Sequence, residues 1–340
     1  MITPGRILIS RMKFIGDVIL TTPVIRAVRE KFPSAFVAYL GEKEAVSLLD
    51  NNPDLNEIIP FDFSRPAILE QSRVIRLLRK RKFDAFIDLF SNPRSALLAR
   101  ASGAGVRIGK EVEGRGKLYT HRIADDGRKK TAIAFHFQYL QPLGIDGGSP
   151  VTKIHLTGDE LREAATYLKW QDIDPEQPII GLHPGATWPA KMWEWEKFAD
   201  LADLIRAKLR MQVVYTQGPR DGELLARISG RSVGTSLVLP VMRLRQLAAV
   251  ISRFSVYVSN DAGPMHIGPA VGTKTIGIFG PGEEDIWFPY QRSDGHAALR
   301  HDVACHPCHL DFCNRPGEGF MECMRLLTVN DVFEEVGRRV

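Results

Sequence analysis

"VYVSNDAGPMHIGPAVGTKTIGIFGP", residues 256–281, holds a strand, a turn, a helix and a second strand in one passage. "VYVSND" and "TIGIFGP" are apolar and β-branched, as strands buried on both faces are. Between them Ala262, Gly263 and Pro264 form a small-residue turn, and residues 263–271 are expected to be helical. A strand that returns to a second strand through a helix builds a parallel sheet.

The same alternation extends both ways. Upstream, "PIIGLHPG", "QVVYTQG" and "SLVLP" read as strands, with helices over 194–210, 221–229 and 243–254. An earlier run repeats the pattern: strands "RILIS", "AFVAYL", "EIIPF" and "FDAFIDLF", with helices over 17–31, 42–50, 66–82 and 94–102. The reading is α/β, two Rossmann-like doubly wound parallel-sheet domains facing a central cleft. Residues 1–155 form the first domain and 156–177 a connecting segment with a helix near 158–170. Residues 178–327 form the second domain, and 328–340 a closing helix expected across the junction.

With 340 residues, two domains are the natural expectation. Hydrophobic residues make up 44% and charged residues 25%, an ordinary globular balance. No apolar run approaches the roughly 20 residues that span a bilayer, and the first residues do not read as a signal peptide, which points to the cytoplasm. Residues 1–150 carry 24 Lys and Arg against 16 Asp and Glu, while 151–340 carry 21 against 24. The first half should therefore meet something anionic: a nucleic acid, an acidic membrane face or a phosphorylated substrate. The plain alternative is a solvated basic surface.

Ligands of open parallel sheets bind beyond the carboxyl ends of the strands. That rule selects the loops after "RILIS", "GLH", "VYTQ" and "VYVS". After "VYVS", the amides of Ala262 and Gly263 at a helix start suit a diphosphate. Asp261 either caps them or accepts sugar hydroxyls, and His266 lies about one turn in. After "GLH", Thr187 and Lys191 stand where a lysine offsets charge growing on a leaving diphosphate. Glu223, in "YTQGPRDGELLARI", suits two ribose hydroxyls or simply a helix start. Neither G-x-G-x-x-G nor G-x-x-x-x-G-K-[ST] occurs, against a dinucleotide hydride enzyme and a P-loop NTPase. After "RILIS", in "RMKFIGDVILTTPVIRAV", Asp17 is either a helix cap worth about 1 kcal/mol or a general base worth about 10²- to 10⁴-fold. Arg11, Lys13 and Thr22 beside it are acceptor-side candidates.

"RILISRMKFIGDVILTTPVIRAVREKFP", "HPGATWPAKMWEWEKFADLA" and "SNDAGPMHIGPAVGTKTIGIFGP" resemble the ADP-heptose:lipopolysaccharide heptosyltransferases of glycosyltransferase family 9. The motifs span both domains in order, and the "GD-x-x-L-T-T-P-V-I" form looks most like the heptosyltransferase III branch. The resemblance implies a GT-B fold and inverting transfer from ADP-L-glycero-β-D-manno-heptose to the inner core of lipopolysaccharide. It implies no metal and no cofactor, the ADP-heptose being a substrate. It makes Asp17 the base and puts Thr187, Lys191, Glu223, Asp261, Ala262, Gly263 and His266 at the donor, with Met242 against adenine. Ala262 departs from the Ser or Thr of many members, which removes a hydroxyl contact to phosphate, and Trp188 replaces a small or polar residue.

The implied partners are ADP-heptose and an anionic, lipid-linked core oligosaccharide. "QSRVIRLLRKRKF", residues 71–83, sets Arg73, Arg76, Arg79 and Lys80 beside an apolar stripe, suited either to solvent or to the cytoplasmic face of the inner membrane. Two other classes compete. A nucleotide-sugar hydrolase or epimerase would act without an acceptor. A non-catalytic module would bind anions or nucleic acid, but aromatic–basic interleaving on a sheet is missing, so no nucleic-acid partner is expected. Cys305, Cys308, Cys313 and Cys323 are spaced C-x₂-C-x₄-C-x₉-C. Only the first pair has metal-ligand spacing, and reduced thiols are the simpler expectation.

Overall fold

The apolar runs become twelve parallel strands in the computed structural model, which describes residues 3–234 and 236–340. The chain divides into two units, Met1–His155 and Leu156–Val340. In the first, β1 (Arg6–Ser10), β2 (Phe36–Glu42), β3 (Glu57–Phe61), β4 (Ala85–Asp88), β5 (Val106–Lys110) and β6 (His121–Ile123) line up as β3-β2-β1-β4-β5-β6. In the second, β7 (Ile179–His183), β8 (Gln212–Tyr215), β9 (Leu237–Val238), β10 (Val256–Asn260), β11 (Lys274–Ile278) and β12 (Ala297–Leu299) line up as β12-β11-β10-β7-β8-β9. Numbered within its unit, each sheet has the same order, 3-2-1-4-5-6.

That order reverses between β1 and β4, and again between β7 and β10. Ser10 stands abreast of Asp88 at the first reversal, and Ser259 abreast of His183 at the second. A crevice opens where neighbouring strands send their chains to opposite faces, so these two strand ends are the places to look for ligands. Strands β7 and β10 are buried along their whole length, which explains their unbroken apolar sequences.

Three strands go beyond the sequence expectation: β5, β6 and β12. Each is at or next to a sheet edge and only partly buried, and "VRIGK" and "HRI" carry charges that mask them. The expected helix over 17–31 is two helices, Ile15–Ile19 and Thr22–Lys31, because Pro23 suits a helix start and not an interior. The expected helix over 263–271 is a 3₁₀ turn, Gly263–His266, and one α-turn, Ile267–Ala270. Pro264 and Pro269 bring no amide hydrogens to it, which prevents a longer helix.

Helix Gly158–Trp170 joins the second unit through a two-pronged ion pair between Glu160 and Arg245, with Nε–Oε1 at 2.5 Å and Nη2–Oε2 at 2.6 Å. The last helix, Val329–Gly337, puts Val332 and Val336 into the core of the second unit, where they meet side chains of helix Trp195–Leu209.

Candidate active site

In the second unit, the loop after β7 runs close to the helix that follows β8. A Cβ on Gly185 would lie 2.1 Å from Asp221 Oδ2, so only glycine fits there. Asp221 Oδ2 in turn accepts the Gly218 amide at 2.7 Å. At the end of β10, Asn260 clamps the neighbouring loop from both sides. Its Nδ2 donates to Pro184 O at 2.8 Å and its Oδ1 accepts from Trp193 N at 3.1 Å. The backbone on either side of Lys191 is thereby fixed.

Lys191 crosses the strand reversal. Its ammonium lies 2.6 Å from Asp261 Oδ2 and 4.7 Å from the centre of the Trp188 ring. Asp261 is thus the lysine's counter-ion, and it does not cap the turn at Gly263. Trp188, a departure from the motif, gives the lysine an aromatic face to rest on. Gly282 leaves room for the pair, because a Cβ there would approach Asp261 Oδ2 to 2.7 Å. The one-turn helix after Gly263 carries only a small dipole, which leaves Lys191 as the main positive charge at this strand end.

His266 is buried, and its Nδ1 shares a hydrogen bond of 2.9 Å with Tyr290 Oη. Thr187 and Glu223 are exposed, Glu223 in the first turn of helix Gly222–Arg231, and Met242 is half-buried just before helix Leu244–Ile251. His183, unremarked in the sequence, shares a hydrogen bond of 2.9 Å with Thr216 Oγ1, which meets Tyr257 Oη at 3.0 Å. Burial pulls its pKa down to about 4, so it is neutral at physiological pH.

The cysteine-bearing segment braces this site. Ala190 N donates to Asp311 O at 3.0 Å, His309 N to Pro281 O at 3.1 Å, and His306 Nε2 to Gly282 O at 2.8 Å. All four cysteines are half-buried thiols; Cys313 Sγ accepts the Met321 amide at 3.3 Å, and burial pushes Cys323 up to about 11. Among the described residues, no three His, Cys, Asp or Glu side chains stand where they could share a metal ion.

In the first unit, Asp17 serves two partners. Its Oδ2 accepts the Phe14 amide at 3.0 Å, the backward cap of helix Ile15–Ile19, and its Oδ1 pairs with Arg11. Arg11 also donates to Leu89 O at 2.7 Å and lies 4.8 Å from the Phe90 ring, so it bridges β1 and β4 at their reversal. Lys13 sits 4.3 Å from the Phe63 ring centre. The buried Thr22 hydroxyl donates to Ile19 O and accepts from Lys153 N. His136 escaped the sequence reading: it is buried near enough to Arg11 and Asp17 to feel both charges, and burial takes its pKa to about 3. A shallow depression of about 720 Å³ beside Asp84 and Gly105 lies at the opposite end of the sheet from Asp17.

Two parallel sheets of this order, with loops furnished at the strand reversals, define a GT-B glycosyltransferase architecture. A glycosyltransferase family 9 protein from Veillonella parvula superimposes with a TM-score of 0.86 at 24% identity, covering 98% of this chain and 96% of that one. The ADP-heptose lipopolysaccharide heptosyltransferase II of Escherichia coli gives 0.78 at 21% identity, covering 98% of each. In sequence, residues 71–314 match glycosyltransferase family 9 (heptosyltransferase), and the chain belongs to that family. It is 26% identical to an Escherichia coli lipopolysaccharide heptosyltransferase 3 over 83% of this chain and 85% of the relative. The protein is a glycosyltransferase, and the resemblance read from its motifs holds.

Proposed function

We propose that the protein moves a heptose from ADP-L-glycero-β-D-manno-heptose to the inner core of lipopolysaccharide with inversion at the anomeric carbon. The observation that carries this reading is the Lys191–Asp261 pair at the reversal of the second sheet, in a family 9 chain. Similar proteins are named for ADP-heptose and for lipopolysaccharide, which supports both donor and acceptor.

In this reading the second unit holds the donor. Lys191 and the amides of Ala262 and Gly263 take the diphosphate, Glu223 the ribose and Met242 the adenine face, with Thr187 and His266 alongside. Asp261 orients the ammonium so that it meets the charge that grows on the leaving ADP. The first unit supplies the base. Asp17 accepts the proton of an acceptor hydroxyl as that oxygen bonds to the anomeric carbon, and the bond from that carbon to the diphosphate oxygen breaks with its electron pair going to ADP. Arg11 fixes the carboxylate, and Arg11 and Lys13 attract an anionic acceptor. The reaction needs no cofactor, because lysine and amides carry the phosphate charge. Work on a lipid-linked acceptor brings the enzyme to the cytoplasmic face of a membrane as a peripheral protein. Among the described residues, no helix is long and apolar enough to cross one.

The test is turnover of ADP-heptose with a set of core saccharides by wild type and Asp17→Asn. Asparagine keeps an acceptor oxygen for the Phe14 amide, so the fold is preserved while the base is lost. Transfer should fall by about 10²- to 10⁴-fold with ADP affinity unchanged. Near-wild-type transfer contradicts the assignment of Asp17, and rapid release of free heptose without acceptor favours a hydrolase.

A further inference from the structure

The sequence directs attention to the basic helix around residues 71–83 as a membrane face, but the structure engages that helix elsewhere. In helix Ala67–Arg81, Val74 and Leu78 are buried in the core. Arg73 pairs with the buried Glu70, Arg79 donates to Ala101 O at 2.9 Å, and Arg81 is bound to Glu57. The apolar stripe is therefore spent on folding, and several of the cations are already committed.

The exposed apolar surface lies at its first turn and in the residues leading into it. Residues 64–69, "SRPAIL", are all exposed, with Ile68 at 80% and Leu69 at 65%. Phe14, in the Asp17 turn, is exposed at 62%. Phe63 connects the two places: Lys13 Nζ lies 4.3 Å from its ring and 5.7 Å from that of Phe14, and the Arg94 guanidinium lies 5.2 Å from Phe63 on another side. Arg65 stands 57% exposed, within 3.7 Å of Asp62 and of Glu70, whose charges are also met by Lys43 and Arg73. Glu42 lies near Lys13, and burial raises its pKa, which weakens the negative charge beside that lysine. Single exposed apolar residues are ordinary, but three set among cations, at one helix start and one turn, are a different surface. Trp170 in the second unit makes the contrast: it is 79% exposed, but its neighbours are of both signs, Asp159, Arg162 and Glu163.

We infer that this rim of the first unit, with Phe14, Ile68 and Leu69 inserted and Lys13, Arg65 and Arg94 around them, docks on an anionic lipid bilayer. Apolar side chains enter the boundary between headgroups and acyl chains, while cations stay at the anionic headgroups. Charge complementarity selects this occupant over a second copy of the same basic rim, whose cations would face their own kind. The inference takes its purpose from the lipid-linked acceptor proposed above: Phe14 lies three residues from Asp17, so docking brings the base to the lipid surface. Its readout requires no transfer.

The experiment floats the full chain with vesicles of phosphatidylethanolamine containing about a quarter phosphatidylglycerol, and separately with phosphatidylcholine alone. The anionic vesicles should carry the protein, less so as salt rises, and the neutral ones should not. The double variant Ile68→Ser, Leu69→Ser should weaken binding by about tenfold or more. Its thermal midpoint and its turnover of a water-soluble saccharide should match wild type, because both side chains point to solvent. Arg65→Glu should weaken anionic binding without changing the fold. Absence of flotation, equal binding to neutral vesicles, or an unchanged double variant overturns the inference. So does a concentration-dependent dimer that the double variant abolishes while vesicles capture nothing. Loss of heptose transfer with vesicle binding intact would count against the proposed reaction and leave the docking rim standing.

Discussion

The two units share one strand order and differ in what they place at its reversal. In the first, carboxylate and cation come from the same loop: Arg11 and Asp17 both follow β1, and Arg11 reaches over to Leu89 O beyond β4. In the second, they come from opposite sides: Lys191 follows β7 and Asp261 follows β10. The first arrangement fixes the orientation of a carboxylate that is still 14% exposed. The second fixes an ammonium against an aromatic ring and a buried counter-ion. One scaffold thus holds a fixed carboxylate in one unit and a fixed cation in the other, and the difference lies in the segments that follow the strands.

The largest expected effect breaks the second arrangement. Lys191→Ala removes the charge proposed to meet the diphosphate and leaves Asp261 buried without its counter-ion. Transfer should fall by about 10²-fold or more, with weaker ADP binding in calorimetry and about 3 kcal/mol lost from stability in urea unfolding. Retention of ADP affinity would show that the cation serves folding alone. Gly185→Ala is a smaller test of the same loop. Its methyl group meets Asp221 Oδ2 at 2.1 Å, so it should cost about 1–3 kcal/mol and weaken ADP binding while leaving the Asp17 turn untouched.

A third effect is in the pH dependence of stability. His136 and His183 are buried and neutral, with pKa values lowered to about 3 and about 4 from 6.5. Between pH 6.5 and about 4 the unfolded chain binds more protons at both, so stability should fall as the pH drops, by up to about 1.4 kcal/mol per unit for each histidine. Glu160, lowered to about 2 by Arg245, adds stability that is full above 4.5 and lost as the pH falls toward about 2. His183→Gln should flatten the slope between pH 6.5 and 4 in denaturant titrations. An unchanged slope would mean that this histidine is reached by water.

The central strands and their alternation with helices were legible because buried strands and small-residue turns leave continuous, recognisable patterns. Edge strands such as β12, "AAL", left none, because their partners and not their side chains define them. Asp17 was legible as cap or base, and the structure shows the cap directly. The pairing of Lys191 with Asp261, 70 positions on, was not legible. It depends on β7 and β10 lying side by side, which no local pattern encodes. Trp188 read as a departure from the motif because its role depends on where Lys191 points. Residues 71–83 read as suited either to solvent or to a membrane face, because amphipathic periodicity does not reveal which face the core has covered.

The most direct test of the comparison is amide hydrogen exchange of the full chain with and without ADP. The account predicts slower exchange at residues 184–193 and 261–266 in the second unit, and little change at residues 11–17. Protection confined to residues 11–17, or none at saturating ADP, would contradict the assignment of the nucleotide to the second unit.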